Sequence, residues 1–372
     1  MNNIRRIAIV GAGVAGMALA LLARQRGCQV SLYERHSSIS TIGAGVTLWP
    51  NAMFVLQQMG LKQELEHMGG APRFMRQFDQ SGSRMAEFDI EEVNLLSGFP
   101  TITILRRDLM NILARALDAV GVTIHFDSPV TTHSIEALRQ EFDLVVGADG
   151  RMNSVVRRAL YQDDVPPRYQ GFVNIIGISK VQQTLTDNAI HDYRSASERF
   201  GIVPVKGDWC YWAGAWRAEL DKERPLSAWY HELHQRFRHW SGPVQHVLNG
   251  CEPASLNRIF VHDIDPLPRW HHGNVVIIGD AAHASLPTSG QGAAQALEDA
   301  WHLALLLEQE HEPEHILTTF YQRRTIKTSA AQTVGRQVAQ QIFGDAGASP
   351  TASPLSAEQL SQFWMQGLTV QE

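Results

Sequence analysis

Three glycines near the start of the chain, Gly11, Gly13 and Gly16, constrain the fold more than any other feature of the sequence. A short apolar run, 6–10, precedes them, and a segment with helical apolar spacing follows them as far as Gly27. The run predicts a strand buried on both faces, and the segment predicts a helix. A GxGxxG pattern at such a strand-to-helix turn is typical of a dinucleotide-binding βαβ unit, whose helix N-terminus faces a diphosphate.

The acid Glu34 limits which dinucleotides the motif can bind. It follows a second predicted strand, 29–33, and stands eighteen residues after Gly16. A carboxylate at this place accepts hydrogen bonds from an adenosine ribose and repels a 2′-phosphate. The motif therefore favours FAD or NAD over NADP at this site, and it does not separate FAD from NAD.

The composition excludes several other classes of protein. The 372 residues are 44% hydrophobic, enough for a large core, and the net charge of −6 disfavours nucleic acid as a partner. Three cysteines without a CxxC pair argue against a disulfide framework or a structural zinc, so we expect no metal. Because no apolar run could span a bilayer and the N-terminus leads directly into a strand, we expect a cytoplasmic protein without a signal peptide or a membrane contact.

The rest of the chain predicts a nucleotide-binding domain in discontinuous pieces with a sheet inserted between them. Further strands are predicted at 102–105, 122–126, 144–146 and 274–278, and helices at 108–120, 293–307 and 313–343. Residues 166–265 instead have the pattern of an open, partly antiparallel sheet rich in aromatic residues. The predicted division is 1–70, 100–165 and 270–343 for the first domain, 71–99 and 166–269 for the sheet domain, and 344–372 for a linker and short helix.

Four segments together separate FAD from NAD. They are GAGVAG with Glu34, LRRDL around Arg106, GADGRMNSVVR, and GDAAHASLPTSGQGAAQALEDA. In this order they resemble the class A FAD-dependent aromatic hydroxylases, the family that includes p-hydroxybenzoate, salicylate and FAD-dependent urate hydroxylases. The resemblance extends from Gly11 to Asp299. It implies FAD as the cofactor and an α/β fold: a Rossmann-type FAD-binding domain with an inserted mixed β-sheet substrate domain (an α+β insert) and C-terminal helices.

The chemistry of individual residues agrees with this resemblance, although each has a structural alternative. Asp280 ends a predicted buried strand, where ribityl hydroxyls would satisfy its carboxylate; the alternative is that it caps the next turn. The Gly-rich stretch 287–293 leads into a helix whose N-terminus suits the negative charge of a reduced flavin. Asp149 has the alternative of an ordinary Asp-Gly turn, and Arg106 that of a solvated surface residue. We expect Glu298 and Asp299 to support the fold rather than touch the flavin.

The fingerprint and the resemblance together predict one set of cofactor-binding residues. A second glycine-rich stretch, GAGVT at 43–47, lacks a strand before it and a helix after it, so we expect a flavin-contacting loop there. The predicted set is Gly11, Gly13, Ala15, Gly16, Glu34, Arg35, Gly45, Val46, Arg106, Val130, Asp149, Asp280, Pro287, Gly290, Gln291, Gly292 and Ala293.

The resemblance also implies a reaction. NADH or NADPH would dock transiently and reduce FAD, and O₂ would then form a flavin C4a-hydroperoxide that hydroxylates an aromatic or heteroaromatic small molecule. The predicted catalytic residues are Arg199 and Tyr211, which align with an arginine and a tyrosine near the substrate in urate hydroxylases, and Pro287 beside the reactive flavin edge. The alternatives are a surface charge for Arg199 and a core aromatic for Tyr211.

Other functions of the same fold stay open at this stage. A flavin-dependent reductase or dehydrogenase would oxidise NAD(P)H without incorporating oxygen, and a halogenase would carry a WxWxIP element, which this sequence lacks. A non-catalytic FAD-binding protein is the third possibility. The pattern leaves the substrate, the choice between NADH and NADPH, and the choice between monomer and homodimer undecided.

Overall fold

The computed structural model describes residues 4–39, 43–162, 165–181, 187–308, 312–344 and 355–368. The strands in this part of the chain are β1 (Arg6–Val10), β2 (Gln29–Tyr33), β3 (Gly45–Leu48), β4 (Phe74–Asp79), β5 (Arg84–Asp89), β6 (Ile102–Leu105), β7 (Ile124–His125), β8 (Leu144–Gly147), β9 (Arg168–Lys180), β10 (Ala189–Arg194), β11 (Glu198–Pro204), β12 (Trp209–Arg217), β13 (Asn257–Asp263), β14 (His271–His272) and β15 (Val275–Ile277).

The helices in the same ranges vary widely in length. They are α1 (Val14–Gln25), α2 (Pro50–Gln58), α3 (Lys62–Met68), α4 (Ile90–Ser97), α5 (Arg106–Ala119), α6 (Thr132–Glu141), α7 (Val155–Tyr161), α8 (Leu226–Phe237), α9 (Gly242–Asn249), α10 (Asp280–His283), α11 (Gly292–Leu307), α12 (Pro313–Phe343) and α13 (Ala357–Met365).

The first sheet has the order β14-β15-β8-β1-β2-β7, and its strands from β15 to β7 run parallel. β1 and β2 have the predicted bounds, and β1 lies in the middle of the sheet with Ile7 and Ile9 fully buried. The prediction of a strand over 122–126 was too long. Only Ile124 and His125 pair with β2, because β7 is an edge strand and Asp127 leaves the extended conformation with a φ of 49°.

The second sheet has the order β13-β9-β12-β11-β10-β4-β5 and is antiparallel except where β10 pairs with β4. Alternate side chains of its central strands point to opposite faces. On one face Phe200 and Trp212 pack against Phe237 of α8. On the other face Tyr211 and Ile178 pack against the first part of the chain, so this face is directed at the nucleotide-binding residues.

The sequence analysis assigned 71–99 to the sheet domain without predicting its strands, and it did not predict the helices α8 and α9. The hairpin β4–β5 is an edge extension of the sheet, and α8 and α9 cover its outer face. A signal for α8 exists, because Trp229, Leu233 and Phe237 are buried at intervals of four residues. That spacing is typical of one face of a helix.

The stretch 43–47 is only partly a loop, which corrects the prediction made for GAGVT. Its second half forms β3, which pairs with β6 in a separate two-stranded ribbon, from Gly45 opposite Leu105 to Leu48 opposite Ile102. The partner strand lies more than fifty residues away in sequence, and such a long-range pairing leaves no local pattern of its own.

The helices α11, α12 and α13 form the C-terminal part of the described chain. The predicted helix 313–343 is confirmed as α12, and the predicted helix at 293–307 is confirmed as α11 with one further residue. A short C-terminal helix is also present as α13, while the predicted linker 344–354 lies outside the described residues except for Gly344. Across the described ranges, no helix is long and apolar enough to cross a membrane, and no cluster of three or more His, Cys, Asp or Glu residues could hold a metal ion.

Candidate active site

In the turn between β1 and α1, the fold requires glycine at Gly11 and Gly16 but not at Gly13. A β-carbon on Gly11 would overlap the carbonyl oxygen of Ala148, and Gly11 has a φ of +105°. A β-carbon on Gly16 would overlap the carbonyl oxygen of Gly11, so helix and strand pack closely there. A β-carbon on Gly13 would meet nothing within 4 Å. Gly13 therefore faces an open space at the helix N-terminus, where a diphosphate fits.

Glu34 lies beside this turn. The backbone N–H of Ala12 donates to its Oε2 at 2.9 Å, and the backbone N–H and Nδ1 of His36 bond to its Oε1 at 3.0 and 2.7 Å. The side chain of Glu34 is 11% exposed. Burial alone would raise the pKa of Glu34, but these hydrogen bonds outweigh it and lower the pKa. Glu34 is thus held as a carboxylate next to the glycine turn.

Arg106 is enclosed rather than solvated. Its Cδ would lie 2.7 Å from a β-carbon on Gly43, and its Nε is buried and has no hydrogen-bond partner among the described residues. Burial lowers the pKa of Arg106; Asp280 acts in the opposite direction and Arg151 acts in the same direction. An unpaired buried guanidinium N–H is rare in a protein, and an anionic ligand would satisfy it.

Asp280 differs from its prediction in one respect. The strand β15 stops at Ile277, and Asp280 begins the short helix α10 instead of ending a buried strand. Its side chain is 37% exposed and its Oδ2 lies 3.2 Å from Arg151. The prediction of a buried carboxylate at Asp280 is therefore wrong. Asp280 faces solvent next to Arg106, and it remains available to ribityl hydroxyls for a different reason, namely its open position.

Asp149 has protein partners for both carboxylate oxygens. Oδ1 accepts a hydrogen bond from Ser154 Oγ at 2.6 Å, and Oδ2 accepts from the backbone N–H groups of Val155 and Val156 at 2.7 and 3.3 Å. Burial raises the pKa of Asp149, although these bonds act against the increase. In this geometry its carboxylate holds the start of α7, a role that differs from the ordinary Asp-Gly turn considered as its alternative.

The segment from Pro287 to the start of α11 forms a second turn that precedes a helix N-terminus. Pro287–Ser289 is one turn of 3₁₀-helix, and Gly290 follows with a φ of +64°. α11 then begins without a side-chain cap and without an acid in its first turn, so its positive N-terminal end has no compensating charge there. Gln291 at its N-cap has a buried Nε2 without a hydrogen-bond partner among the described residues. The N-terminus of α11 would therefore stabilise a ligand that carries negative charge on the side facing the helix.

Trp49 and Arg151 were not predicted as site residues. Trp49 donates its indole N–H to the carbonyl of Gly290 at 2.9 Å and so fixes the turn before α11. No local pattern identifies it, because the contact joins residues 241 positions apart. Arg151 pairs with Asp280, and the sequence signal for it is its position in the segment GADGR, directly after Asp149-Gly150.

The other predicted cofactor residues have different environments. Ala15 is buried, and its Cβ lies 2.9 Å from where a β-carbon on Gly279 would be. Arg35 is exposed after β2, Val46 is half-buried in β3, and Val130 is half-buried before α6. Gly292 and Ala293 form the first turn of α11.

A fully buried charge network supports the Gly279-Asp280 turn from behind. Asp299 accepts hydrogen bonds from the backbone of Gly279 at 2.8 Å, from His283 at 2.5 Å and from Arg324 at 2.7 Å. Glu298 pairs with Arg324 at 2.7 Å. Burial acts to raise the pKa of Asp299, but His283 and Arg324 outweigh it and lower the pKa to about 2. Glu298 and Asp299 thus support the fold, as expected.

The inserted sheet brings Tyr211 against the predicted flavin residues. A β-carbon on Gly45 would overlap the ring of Tyr211, and the Tyr211 hydroxyl lies 2.9 Å from Thr47 Oγ1. Burial raises the pKa of Tyr211 well above its ordinary value, although the bond to Thr47 acts against this. Tyr211 is therefore a neutral phenol in contact with β3.

Arg199 lies on the same face of the sheet as Tyr211. β11 and β12 pair Val203 with Tyr211 and Arg199 with Ala215, so the two side chains point the same way, four residues apart along the strands. Arg199 Nε donates to Asp192 at 2.5 Å, and Asp192 also binds Arg194 at 2.7 Å. Arg199 is thus an ion-paired, partly exposed residue rather than a free surface charge.

Comparisons with known proteins identify the family. A family model described as an FAD binding domain matches residues 5–334. The chain is 28% identical to an FAD-dependent urate hydroxylase of Mycolicibacterium vanbaalenii, over 87% of this chain and 85% of that protein. It is 30% identical to a 3-amino-4-hydroxybenzoate 2-monooxygenase of Streptomyces cremeus, over 91% of this chain and 87% of that protein.

A solved structure shows the same fold. Klebsiella pneumoniae HpxO complexed with FAD and uric acid superposes with a TM-score of 0.82 at 24% identity, over 98% of this chain and 92% of that chain. The family model spans nearly the whole described chain. The glycine turn, Glu34 and the buried, unpaired Nε of Arg106 fit a bound FAD. The chain therefore belongs to the family of FAD-dependent aromatic hydroxylases and is an FAD-dependent monooxygenase.

Proposed function

We propose that this protein hydroxylates an aromatic or heteroaromatic small molecule, with NADH or NADPH as the electron donor and O₂ as the source of oxygen. The observation that carries the proposal is the contact between Tyr211 of the inserted sheet and β3 of the nucleotide-binding part. This contact brings a face of the sheet to the segment 43–47 that is predicted to contact the flavin, so a small molecule on that face would lie beside the cofactor.

Different residues would bind the different parts of FAD. The open space at Gly13 and the N-terminus of α1 would bind the diphosphate, and Glu34 would accept hydrogen bonds from the adenosine ribose. Arg106 and Asp280 would face the diphosphate and the ribityl chain. The N-terminus of α11 would stabilise negative charge on the ring. When bound, FAD supplies hydride transfer and oxygen activation, which amino-acid side chains cannot supply.

Tyr211, Arg199 and Pro287 would each act differently on the substrate side of the flavin. Because burial raises its pKa, Tyr211 keeps its proton at neutral pH, so it orients the substrate by hydrogen bonding rather than by acting as a phenolate base. Arg199 would attract an anionic substituent, with Asp192 fixing the direction of its guanidinium. Pro287 would pack beside the ring and help to exclude water from it.

The test is oxygen incorporation. The purified flavoprotein is supplied with NADH or NADPH and, in turn, uric acid, 3-amino-4-hydroxybenzoate and a panel of phenolic acids under ¹⁸O₂. We expect at least one compound to stimulate NAD(P)H oxidation and to gain one labelled oxygen atom. Tyr211→Phe should lower the fraction of NAD(P)H that yields product, whereas Tyr230→Phe on α8 should not. If every compound yields only hydrogen peroxide, the proposal is wrong and a reductase is favoured.

A further inference from the structure

Asn174 is a polar residue on the inner face of the inserted sheet. It lies in β9, opposite Ala215 of β12 and Ile259 of β13. The same register places Ile178 opposite Tyr211, so Asn174 lies on the sheet face that Tyr211 occupies, two same-face positions further along the strand. It therefore faces the nucleotide-binding part of the chain and not the helices α8 and α9.

The neighbours of Asn174 along β9 pack next to the two segments that are predicted to contact the flavin. On one side along the strand, Phe172 packs in a cluster with Leu286, the residue immediately before the Pro287 turn. On the other side, Ile176 packs in a cluster with Ala44, the residue immediately before β3. Asn174 thus lies between the two places where the sheet touches the predicted flavin turns.

The amide oxygen of Asn174 is buried and unpaired. The residue is 9% exposed, and its Oδ1 has no hydrogen-bond partner among the described residues. A buried polar group without a partner costs about 1–3 kcal/mol. The residues directly beside and opposite it on this face, Phe172, Ala215, Ile176 and Ile259, are apolar. Asn257 and Arg217 lie one same-face position further along the neighbouring strands, and neither of them hydrogen-bonds to Asn174 Oδ1.

Space for a ligand exists on the same face. A β-carbon on Gly201 of β11 would meet nothing within 4 Å, and Gly201 pairs with Ala213, which in turn pairs with Ile176. The middle of this face therefore carries the small residues Gly201, Ala213 and Ala215, with the Asp192–Arg199 ion pair on one side and the amide of Asn174 on the other. A flat ring with one polar group would fit such a surface.

We infer that Asn174 is a specificity-determining residue whose Oδ1 accepts a hydrogen bond from the substrate, and that the substrate carries a ring N–H or a hydroxyl on the edge that faces β9. This inference rests on the proposed function. Binding of such a substrate satisfies the amide, whereas an analogue without the donor leaves it unpaired, and buried unpaired groups discriminate strongly between ligands.

The first experiment measures thermal unfolding of the FAD-loaded protein without substrate. Asn174→Leu keeps the number and branching of the side-chain heavy atoms and removes the unpaired amide, so its melting temperature should equal or exceed that of the wild type. Asn174→Ala removes side-chain volume and should melt at a lower temperature. A melting temperature of Asn174→Leu clearly below that of the wild type would show that the amide is already satisfied in the protein, and this would overturn the inference.

The second experiment measures the KM for uric acid, whose ring N–H groups are donors, or for whichever compound of the panel is hydroxylated. Asn174→Leu should raise this KM about tenfold or more while the amount of bound FAD stays the same. Asn249→Leu, an exposed asparagine on α9, is the matched control and should leave KM unchanged. An unchanged KM, or a loss of bound FAD in Asn174→Leu, refutes the substrate role. Failure of the proposed function is seen separately, as absence of product in the wild type, and leaves the melting comparison valid.

Discussion

Replacing Gly13 with alanine tests where the cofactor lies without disturbing the protein around it. The backbone of Gly13 has a φ of −82° and a ψ of −174°, which alanine adopts without strain, and its added β-carbon would meet no protein atom within 4 Å. The same change at Gly16 would drive a β-carbon into the carbonyl oxygen of Gly11. We expect Gly13→Ala to fold and to bind FAD weakly, and Gly16→Ala to fold poorly.

The magnitudes for Gly13→Ala follow from its position at the N-cap of α1. Alanine is a poorer N-cap than glycine by up to about 1 kcal/mol. It also restricts the unfolded chain, which stabilises the protein by about 0.4–1 kcal/mol, so the two effects nearly offset. A methyl group that intrudes on a bound diphosphate costs about 1–3 kcal/mol, by analogy with overpacking. FAD should therefore bind about 5- to 150-fold more weakly.

The assay is a titration of apoprotein with FAD, followed by flavin fluorescence, together with thermal melts of the apoproteins. Gly242→Ala is the matched control, because Gly242 also lies at the start of a helix and a β-carbon there would also meet nothing within 4 Å. It should change neither the melting temperature nor the Kd for FAD by much. A wild-type Kd for Gly13→Ala would refute the placement of the diphosphate at this turn.

Three further changes test the rest of the site. Arg106→Leu should weaken FAD binding about tenfold or more in the same titration, because a charged hydrogen-bond donor is lost, whereas Arg107→Leu next to it is exposed and should have little effect. Asp280→Ala should remain folded and lose FAD on gel filtration, whereas Asp118→Ala, an exposed aspartate on α5, should retain it; normal flavin absorbance in Asp280→Ala would contradict the role given to this residue. Asp299→Asn should lower the free energy of unfolding by about 3–5 kcal/mol in urea at pH 7. Because the pKa of Asp299 is about 2 in the folded protein and about 3.9 in the unfolded chain, its stabilisation is complete above about pH 4 and is lost as the pH falls toward 2. The wild type should show this loss and Asp299→Asn should not; equal pH dependence in both would refute the assignment.

The glycine turn was predictable because its constraints are local. The roles of Gly11 and Gly16 follow from backbone contacts between adjacent elements, and the sequence spacing of the motif already contains them. The bounds of β1, β2 and α12 were predictable for a similar reason, since each is a continuous apolar or periodic segment. The family resemblance added the cofactor, which the first motif alone left ambiguous.

Other features depend on contacts that the sequence does not reveal. β3 exists because a distant strand pairs with it, and Asp280 is open because β15 stops three residues before it. The shared face of Arg199 and Tyr211 depends on the register of β11 against β12, and a shift of one residue would separate them. The unpaired amide of Asn174 becomes visible only when every neighbour around it is known.

The helix α12 has a consequence for the construction of hybrid enzymes. Its 31 residues extend about 46 Å. Near its start Phe320 belongs to the large core around the first sheet, and at its end Phe343 stacks on Phe172 of β9 with ring centroids 4.4 Å apart. A chimera that exchanged only residues 166–269 between relatives would leave Phe343 against a foreign strand. A graft of the inserted sheet must therefore include the last turns of α12, although they lie some seventy residues downstream of the exchanged segment.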